Sequence, residues 1–358
     1  MYTLYVNSVS PYSAKVSALI GYSGLACKLS TQNAINRYTV IKKLTGRTAV
    51  PMLRDGDWAL SDSTHIAQHV MALSARPMLP QNSHHAALCW LLEDFADEWV
   101  VRWVLYSRWT NRSDSDEVSR IIGNELAHNL PGLSSAAGRL GSRAVKKSIE
   151  HMGVRASNAV TLENSRDRLL NALDVLLNQG PLYLFEGYPS VADFALYGAL
   201  GQYFRDPSGR ARMLAYPALR DYLERLDAMR LPAPDIEIAL NQPSRQASSL
   251  QPLFAELMGT YWQMLVANFR AISRAKNERQ VRATMLDGSS FSFASSNYLV
   301  GRLKQMLTLI DETYRGSDEL FGEQGLRLES AIMAQIAHLS HHSEGRELLR
   351  DFPHLGLH

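Results

Sequence analysis

Cysteine is scarce in this 358-residue chain: Cys27 and Cys89 stand alone and share no spacing motif. That pair supports neither a disulfide framework nor a cysteine-based metal centre, and it predicts a reducing compartment, the cytoplasm. Long apolar runs are also missing. No uninterrupted stretch is long enough to cross a bilayer, and a strand-like segment begins at Tyr2, leaving no expected room for a signal peptide. No membrane partner is therefore expected. Charge of one sign is lacking too. A net charge of +2 and a pI near 8.4 argue against a basic stripe, so no nucleic-acid partner is expected. What remains is the composition of an ordinary globular protein, 46% apolar and 20% charged, over a length that holds two or three domains with their own cores.

Residues 1–77 alternate short strands and helices. Tyr2–Val6 is strand-like by its aromatic and β-branched content, and residues 13–24 read as a helix that ends in glycine, with Val16, Leu19 and Ile20 on one face. Asp55-Gly56-Asp57 between Met52-Leu53 and Trp58-Ala59-Leu60 predicts a hairpin. Asp62 or Ser63 can cap the next helix, whose Ile66, Ala67, Val70, Met71 and Leu73 recur at helical spacing. The order strand-helix-strand-helix-strand-strand-helix is that of a thioredoxin-like α/β domain.

Pro77 and Pro80 mark a linker. Residues 83–232 then read as nearly all helix, beginning with a long helix over 86–109 that carries Trp90, Trp99, Trp103 and Trp109. An insertion near 110–160 is expected, its part over 130–160, rich in Ser, Gly, Arg and Lys, being less ordered by pattern. Helical periodicity returns over 162–177. Ser190-x-x-Asp193 has the spacing of a capping box, with Asp in the place of the usual Glu. Gly198 and Gly201 inside the following helix cost stability unless a neighbouring backbone packs closely. After the prolines at 232, 234 and 243, residues 233–358 read as a mostly helical extension. Helices are expected over 250–274, 299–310 and 326–339, with a hairpin at Asp287-Gly288.

These pieces together resemble the glutathione S-transferases. The resemblance rests on Ser10-Pro11-Tyr12-Ser13 after the first strand, Val50-Pro51-Met52-Leu53, Ser61-Asp62-Ser63, and the Pro189–Tyr197 segment with its Ser/Thr-x-x-Asp box, and it covers roughly residues 1–232. It implies a thioredoxin-like domain over 1–77 and an all-α bundle over 83–232; residues 233–358, the extension, fall outside it. It also implies glutathione as co-substrate, a small-molecule electrophile as the other partner, and a homodimer. Where thioredoxin-like redox enzymes carry Cys-x-x-Cys, serine stands here at both positions, which disfavours reductase chemistry; a reductase would have to use Cys27 or Cys89.

The resemblance places Ser10 as the hydroxyl that donates to the glutathione sulfur and lowers its pKa, so that the thiolate attacks an electrophilic carbon. Tyr12 and Ser13 are the fallback hydroxyls; the alternative for either serine is a plain helix cap. Val50-Pro51 resembles the family's cis-proline, with Val50 offering its backbone to the cysteinyl part. Asp62 and Ser63 would hold the γ-glutamyl end at a helix N-terminus, and Arg47 would meet the glycyl carboxylate. Glu93, Asp94, Asp97 and Glu98 read as a solvated or dimer-facing helix edge; Asp97 is a candidate for reaching a partner's glutathione. Trp103, Tyr106 and Trp109 are expected to line the electrophile pocket, unless they serve core packing. His338, His341 and His342 lack a matching Glu or Cys, so no metal is expected. Two functions are open: a transferase acting through Ser10, and a non-catalytic binding protein that uses its extension as a partner surface.

Overall fold

The computed structural model describes residues 1–128, 130, 132–232, 244–273, 279–314, 334, 336, 337, 340, 341 and 343–351. The first domain opens with β1 (Tyr2–Val6) and α1 (Pro11–Ser23). Ser10 caps α1 with extended backbone, Pro11 occupies the first turn, and Gly24 ends the helix at φ 75°. β2 (Cys27–Thr31) runs parallel to β1 and leads into α2 (Ala34–Asn36), a π-helical turn (Arg37–Ile41) and α3 (Lys42–Thr45). β3 (Met52–Asp55) and β4 (Trp58–Ser61) form the expected hairpin, and α4 (Ser63–Leu73) follows. The sheet order is β2-β1-β3-β4, with β3 antiparallel to β1. This is a thioredoxin-like arrangement, and it sets the start of α1 beyond the C-terminal end of the inner strand β1.

The helical domain begins with α5 (Ser83–Phe95), which passes through a π-helical turn (Ala96–Val100) into α6 (Val101–Thr110). α7 (Arg112–Leu126), α8 (Leu133–His151), α9 (Ala159–Leu177), α10 (Val191–Arg205), α11 (Pro207–Met213) and α12 (Pro217–Asp227) complete it. The capping box forms: the Ser190 and Asp193 side chains and backbones bond reciprocally at the start of α10. α10 is buried along nearly its whole length against α1. A Cβ at Gly198 would stand 2.7 Å from the Pro11 carbonyl oxygen, which explains the glycine.

The expectation of weak order over 130–160 is corrected. α7 and α8 form a tight helical hairpin whose small residues permit close approach. A Cβ at Gly123 would lie 2.0 Å from the Ser134 carbonyl oxygen, and one at Gly138 would lie 2.3 Å from that of Ser119. Ser and Gly here serve helix contact, not disorder.

The extension contributes α13 (Gln251–Gly259), α14 (Tyr261–Ser273), a hairpin of β5 (Gln280–Thr284) and β6 (Ser290–Ala294), α15 (Asn297–Tyr314) and α16 (Ser343–Leu349). The single helix expected over 250–274 breaks at Thr260. The expected helix over 326–339 falls largely outside the described residues, as do Pro234, Pro243, His338 and His342. The extension shares the core of the bundle: Phe291 meets Trp99 edge-on at 4.9 Å, and Asn158 Nδ2 donates to the Ser292 carbonyl at 2.7 Å. Among the described residues no helix is long and apolar enough to cross a membrane.

Candidate functional site

The N-terminus of α1 opens onto a cleft of about 580 Å³ between the first domain and the α7–α8 hairpin. The first domain supplies a polar wall that includes Ser10, Tyr12, Gln32, Arg37, Arg47 and Val50. The helical domain supplies an apolar wall from Leu105 and Trp109 on α6, Val118 and Ile122 on α7, and Ala144 and Val145 on α8. A ligand with a polar, anionic end and an apolar end matches the two walls.

Ser10 stands on the polar wall at the start of α1. Its Oγ accepts from Ser13 N–H at 3.2 Å, which uses a lone pair and leaves its own O–H as a donor. Capping the helix and donating to a thiolate are therefore compatible. The positive end of the α1 dipole points toward the same spot, which favours an anion there. The two fallback hydroxyls are differently placed. Tyr12 lines the cleft, but its O–H donates to the Asp97 carbonyl at 3.0 Å, and burial holds its pKa well above the usual phenol. Ser13 is buried, and its Oγ accepts from Asn7 N–H at 3.2 Å.

The peptide bond between Val50 and Pro51 is cis, with Val50 on the cleft wall and Pro51 buried behind it. Arg47 is exposed at the rim, and Arg37 joins it. Neither makes an ion pair among the described residues. Arg37 escaped the sequence argument although a signal existed: no Asp or Glu precedes Asp55, so a cation in this segment has no local carboxylate.

Asp62 and Ser63 lie off the cleft wall. Asp62 sits at φ 84°, a conformation that non-glycine residues rarely hold, and its carboxylate accepts from the N–H groups of Thr64 and His65 at 3.0 and 3.3 Å. The helix start is thus capped by the chain itself. Ser63 is buried, and its Oγ donates to Asp97 Oδ2 at 3.1 Å.

The acidic row of the first bundle helix is neither a solvated edge nor an open face. Glu93, Asp94, Asp97 and Glu98 are all at most 8% exposed. Glu93 and Asp97 meet Lys15 of α1, Asp94 meets Arg302 of α15, and Glu98 accepts from Tyr298 of α15 at 2.7 Å. Lys15 and Arg302 come from far along the sequence, so local spacing could not reveal them, whereas Glu98 also has Arg102 one turn on at 3.6 Å. Burial pushes Asp97 up to about 7 against the pull of Lys15.

Trp103 and Tyr106 do not line the cleft. Trp103 is buried, its ring edge-on to Tyr203 at 5.4 Å, and Tyr106 faces a separate polar groove with Glu163, Arg166 and Arg212. Of the three expected aromatic residues Trp109 does line the cleft, with Leu105 beside it. The π-helical turn at Ala96–Val100 adds a residue to one turn and so rotates every downstream side chain around the helix.

Arg108 and Glu125 are further residues at the site that the sequence did not single out. Arg108 is almost wholly buried, with Nε 2.7 Å from Asp206 Oδ2 and Nη1 donating to the Val9 carbonyl at 2.7 Å.

Comparisons with known proteins bear on the two domains separately. The family model for the glutathione S-transferase N-terminal domain matches residues 4–78, and that for the glutathione S-transferase C-terminal domain matches residues 159–225. No curated protein matches the chain. Among solved structures, a GST-like protein from Pseudomonas syringae is 18% identical with a TM-score of 0.42, over 64% of this chain and 66% of that one. The chain thus spans just under two thirds of that protein. Beta-etherase LigF from Sphingobium sp. strain SYK-6 is 18% identical with a TM-score of 0.42, over 63% of this chain and 95% of its own. FzlA from C. crescentus is 17% identical with a TM-score of 0.40, over 68% and 96%. In that order along one thioredoxin-like and one helical domain, residues 4–78 and 159–225 are recognised as N-terminal and C-terminal domains of the glutathione S-transferase family.

Proposed function

We propose that the protein binds glutathione in the cleft and stabilises its thiolate through Ser10 for attack on an electrophilic small molecule held against the α7–α8 hairpin. The observation that carries this is Ser10 itself: a cap whose O–H remains available, at a helix start, on the wall of a two-sided cleft. Arg37 and Arg47 supply cations for the tripeptide's carboxylates, and Val50 supplies backbone on the same wall. The hydroxyl acts as a donor only. As the thiol gives up its proton to solvent, the charge on sulfur is met by Ser10 O–H and the first turn of α1, and the substrate's leaving group departs as the carbon–sulfur bond forms. A cytoplasmic homodimer belongs to the same proposal.

The test is calorimetric titration with glutathione, followed by Ser10→Ala. The variant is expected to keep its affinity within a few-fold, raise the thiol pKa of the complex and slow conjugation. Equal activity in Ser10→Ala would remove Ser10 from the role.

One observation favours a second function, a non-catalytic binding protein of this fold. Asp62 already caps α4 and Ser63 already donates to Asp97, and the extension is locked onto the bundle through Tyr298 and Arg302. Absence of heat at millimolar glutathione would support that function over the first.

A further inference from the structure

The loop that presents Ser10 is held from outside by three helices. Ser8 N–H donates to Glu125 Oε1 at 3.1 Å, and the Ser8 carbonyl accepts from Gln202 Nε2 at 3.0 Å. Val9 N–H donates to Asn7 Oδ1 at 3.1 Å, the Val9 carbonyl accepts from Arg108 Nη1, and Ser10 N–H donates to the Asn7 carbonyl at 3.1 Å. The backbone polar groups of Ser8 and Val9 are all satisfied, as a fixed segment requires.

Glu125 differs from the other two anchors. Arg108 and Gln202 also hold each other, at 3.0 Å between Nη2 and Oε1, so they serve the bundle as well. The Glu125 carboxylate instead gathers three donors from two consecutive loop residues: Asn7 Nδ2 at 2.7 Å, Ser8 N–H and Ser8 Oγ–H. It stands in the last turn of α7, one residue before the helix ends at Leu126. A carboxylate there opposes the helix dipole, so α7 gains nothing from it. Its grip on the Asn7 amide also fixes the oxygen that accepts from Val9, the residue next to Ser10.

We infer that Glu125 is a positioning residue for Ser10, and that the α7–α8 hairpin, which lies between the two matched family domains, is a working part of the thiol site. This rests on the role given to Ser10 above. By holding Asn7 and Ser8, Glu125 aims the Ser10 hydroxyl into the cleft before any ligand arrives, in the way a supporting hydrogen bond fixes a reacting group.

Glu125→Gln tests it in the full chain. The carboxamide keeps the shape but offers one acceptor oxygen, and its NH₂ must face a donor. A packing role survives that change; an acceptor role does not. The thiolate absorbance of bound glutathione is followed against pH, alongside kcat, KM and thermal unfolding. Glu125→Gln is expected to raise the bound thiol pKa by about one unit and lower kcat about tenfold, with KM within a few-fold and the melting temperature unchanged. Combined with Ser10→Ala, it is expected to add nothing further. Asn7→Ala, which removes the gripped amide without touching α7, is expected to give the same shift. A wild-type thiol pKa in Glu125→Gln, or full additivity with Ser10→Ala, would overturn the inference while leaving Ser10 in place. A bound thiol that is not depressed even in the wild type removes the Ser10 role, and this inference with it.

Discussion

The ammonium of Lys15 lies 2.7 Å from a carboxylate oxygen of Asp97, with no water-exposed surface left on the lysine. The same nitrogen is 2.5 Å from Glu93, and the hydroxyls of Ser63 and Thr64 donate to the two carboxylates. One buried cation thus joins the first domain to the first bundle helix directly behind the candidate site.

This joint gives stability a pH dependence of stated sign. Burial holds the folded Asp97 carboxyl near 7, against about 3.8 for an ordinary one. Between those values the folded chain keeps the proton while the unfolded chain has released it. The group therefore withdraws stability as pH rises from about 4 through 7. Urea unfolding from pH 5 to 8 is expected to show a falling contribution in the wild type that Asp97→Asn abolishes. A wild-type minus variant difference that is flat in pH would contradict it.

Lys15→Met is expected to destabilise the protein by about 3–5 kcal/mol, because it leaves two buried carboxylates without their cation. Denaturant midpoints measure this, and a loss under 1 kcal/mol would mean that water reaches the joint.

Asp193→Ala removes a carboxylate that accepts from Ser190 N–H at 2.7 Å, Leu184 N–H at 2.9 Å and Tyr222 Oη at 2.9 Å. Several buried donors lose their acceptor at once, so a loss of about 3 kcal/mol or more is expected, well above that of a surface cap. Thermal unfolding of Asp193→Ala and Asp193→Asn, the second milder, checks it.

Neither cysteine is poised for redox work. Burial pushes the Cys27 thiol up to about 11 and the Cys89 thiol up to about 12. Alkylation by iodoacetamide at pH 7.5 is expected to be slower than for free cysteine at both positions, and slower at buried Cys89 than at partly exposed Cys27. Fast labelling of either in the folded protein would reopen thiol chemistry.

Much of the fold was legible because its signals are local. The hairpin turn at Gly56, the caps at Ser10 and Asp62 and the Ser190–Asp193 box each depend on a few neighbouring residues whose backbone needs are set by their chemistry. Of the residues the same order of motifs singles out, Ser10, Arg47 and Val50 lie on the cleft wall and Asp62 and Ser63 lie off it. Trp103 and Tyr106 turn away from the cleft while Trp109 lines it, and the π-helical turn upstream, which changes side-chain phase, has no marker in the spacing of apolar residues. The α7–α8 hairpin was undervalued because small residues look like disorder until a second helix is seen against them.

The sequence by itself determined which segments are strands, helices and caps in the two family domains, since those choices are settled by residues within a turn or two. Only the tertiary structure decided which charges are paired and what surrounds Ser10. Lys15 finds Asp97, Arg302 finds Asp94 and Glu125 finds Ser8 across 82, 208 and 117 positions of chain. Contacts of that reach are chosen by how whole helices pack, and helix packing answers to the summed shape of many side chains and not to any one of them.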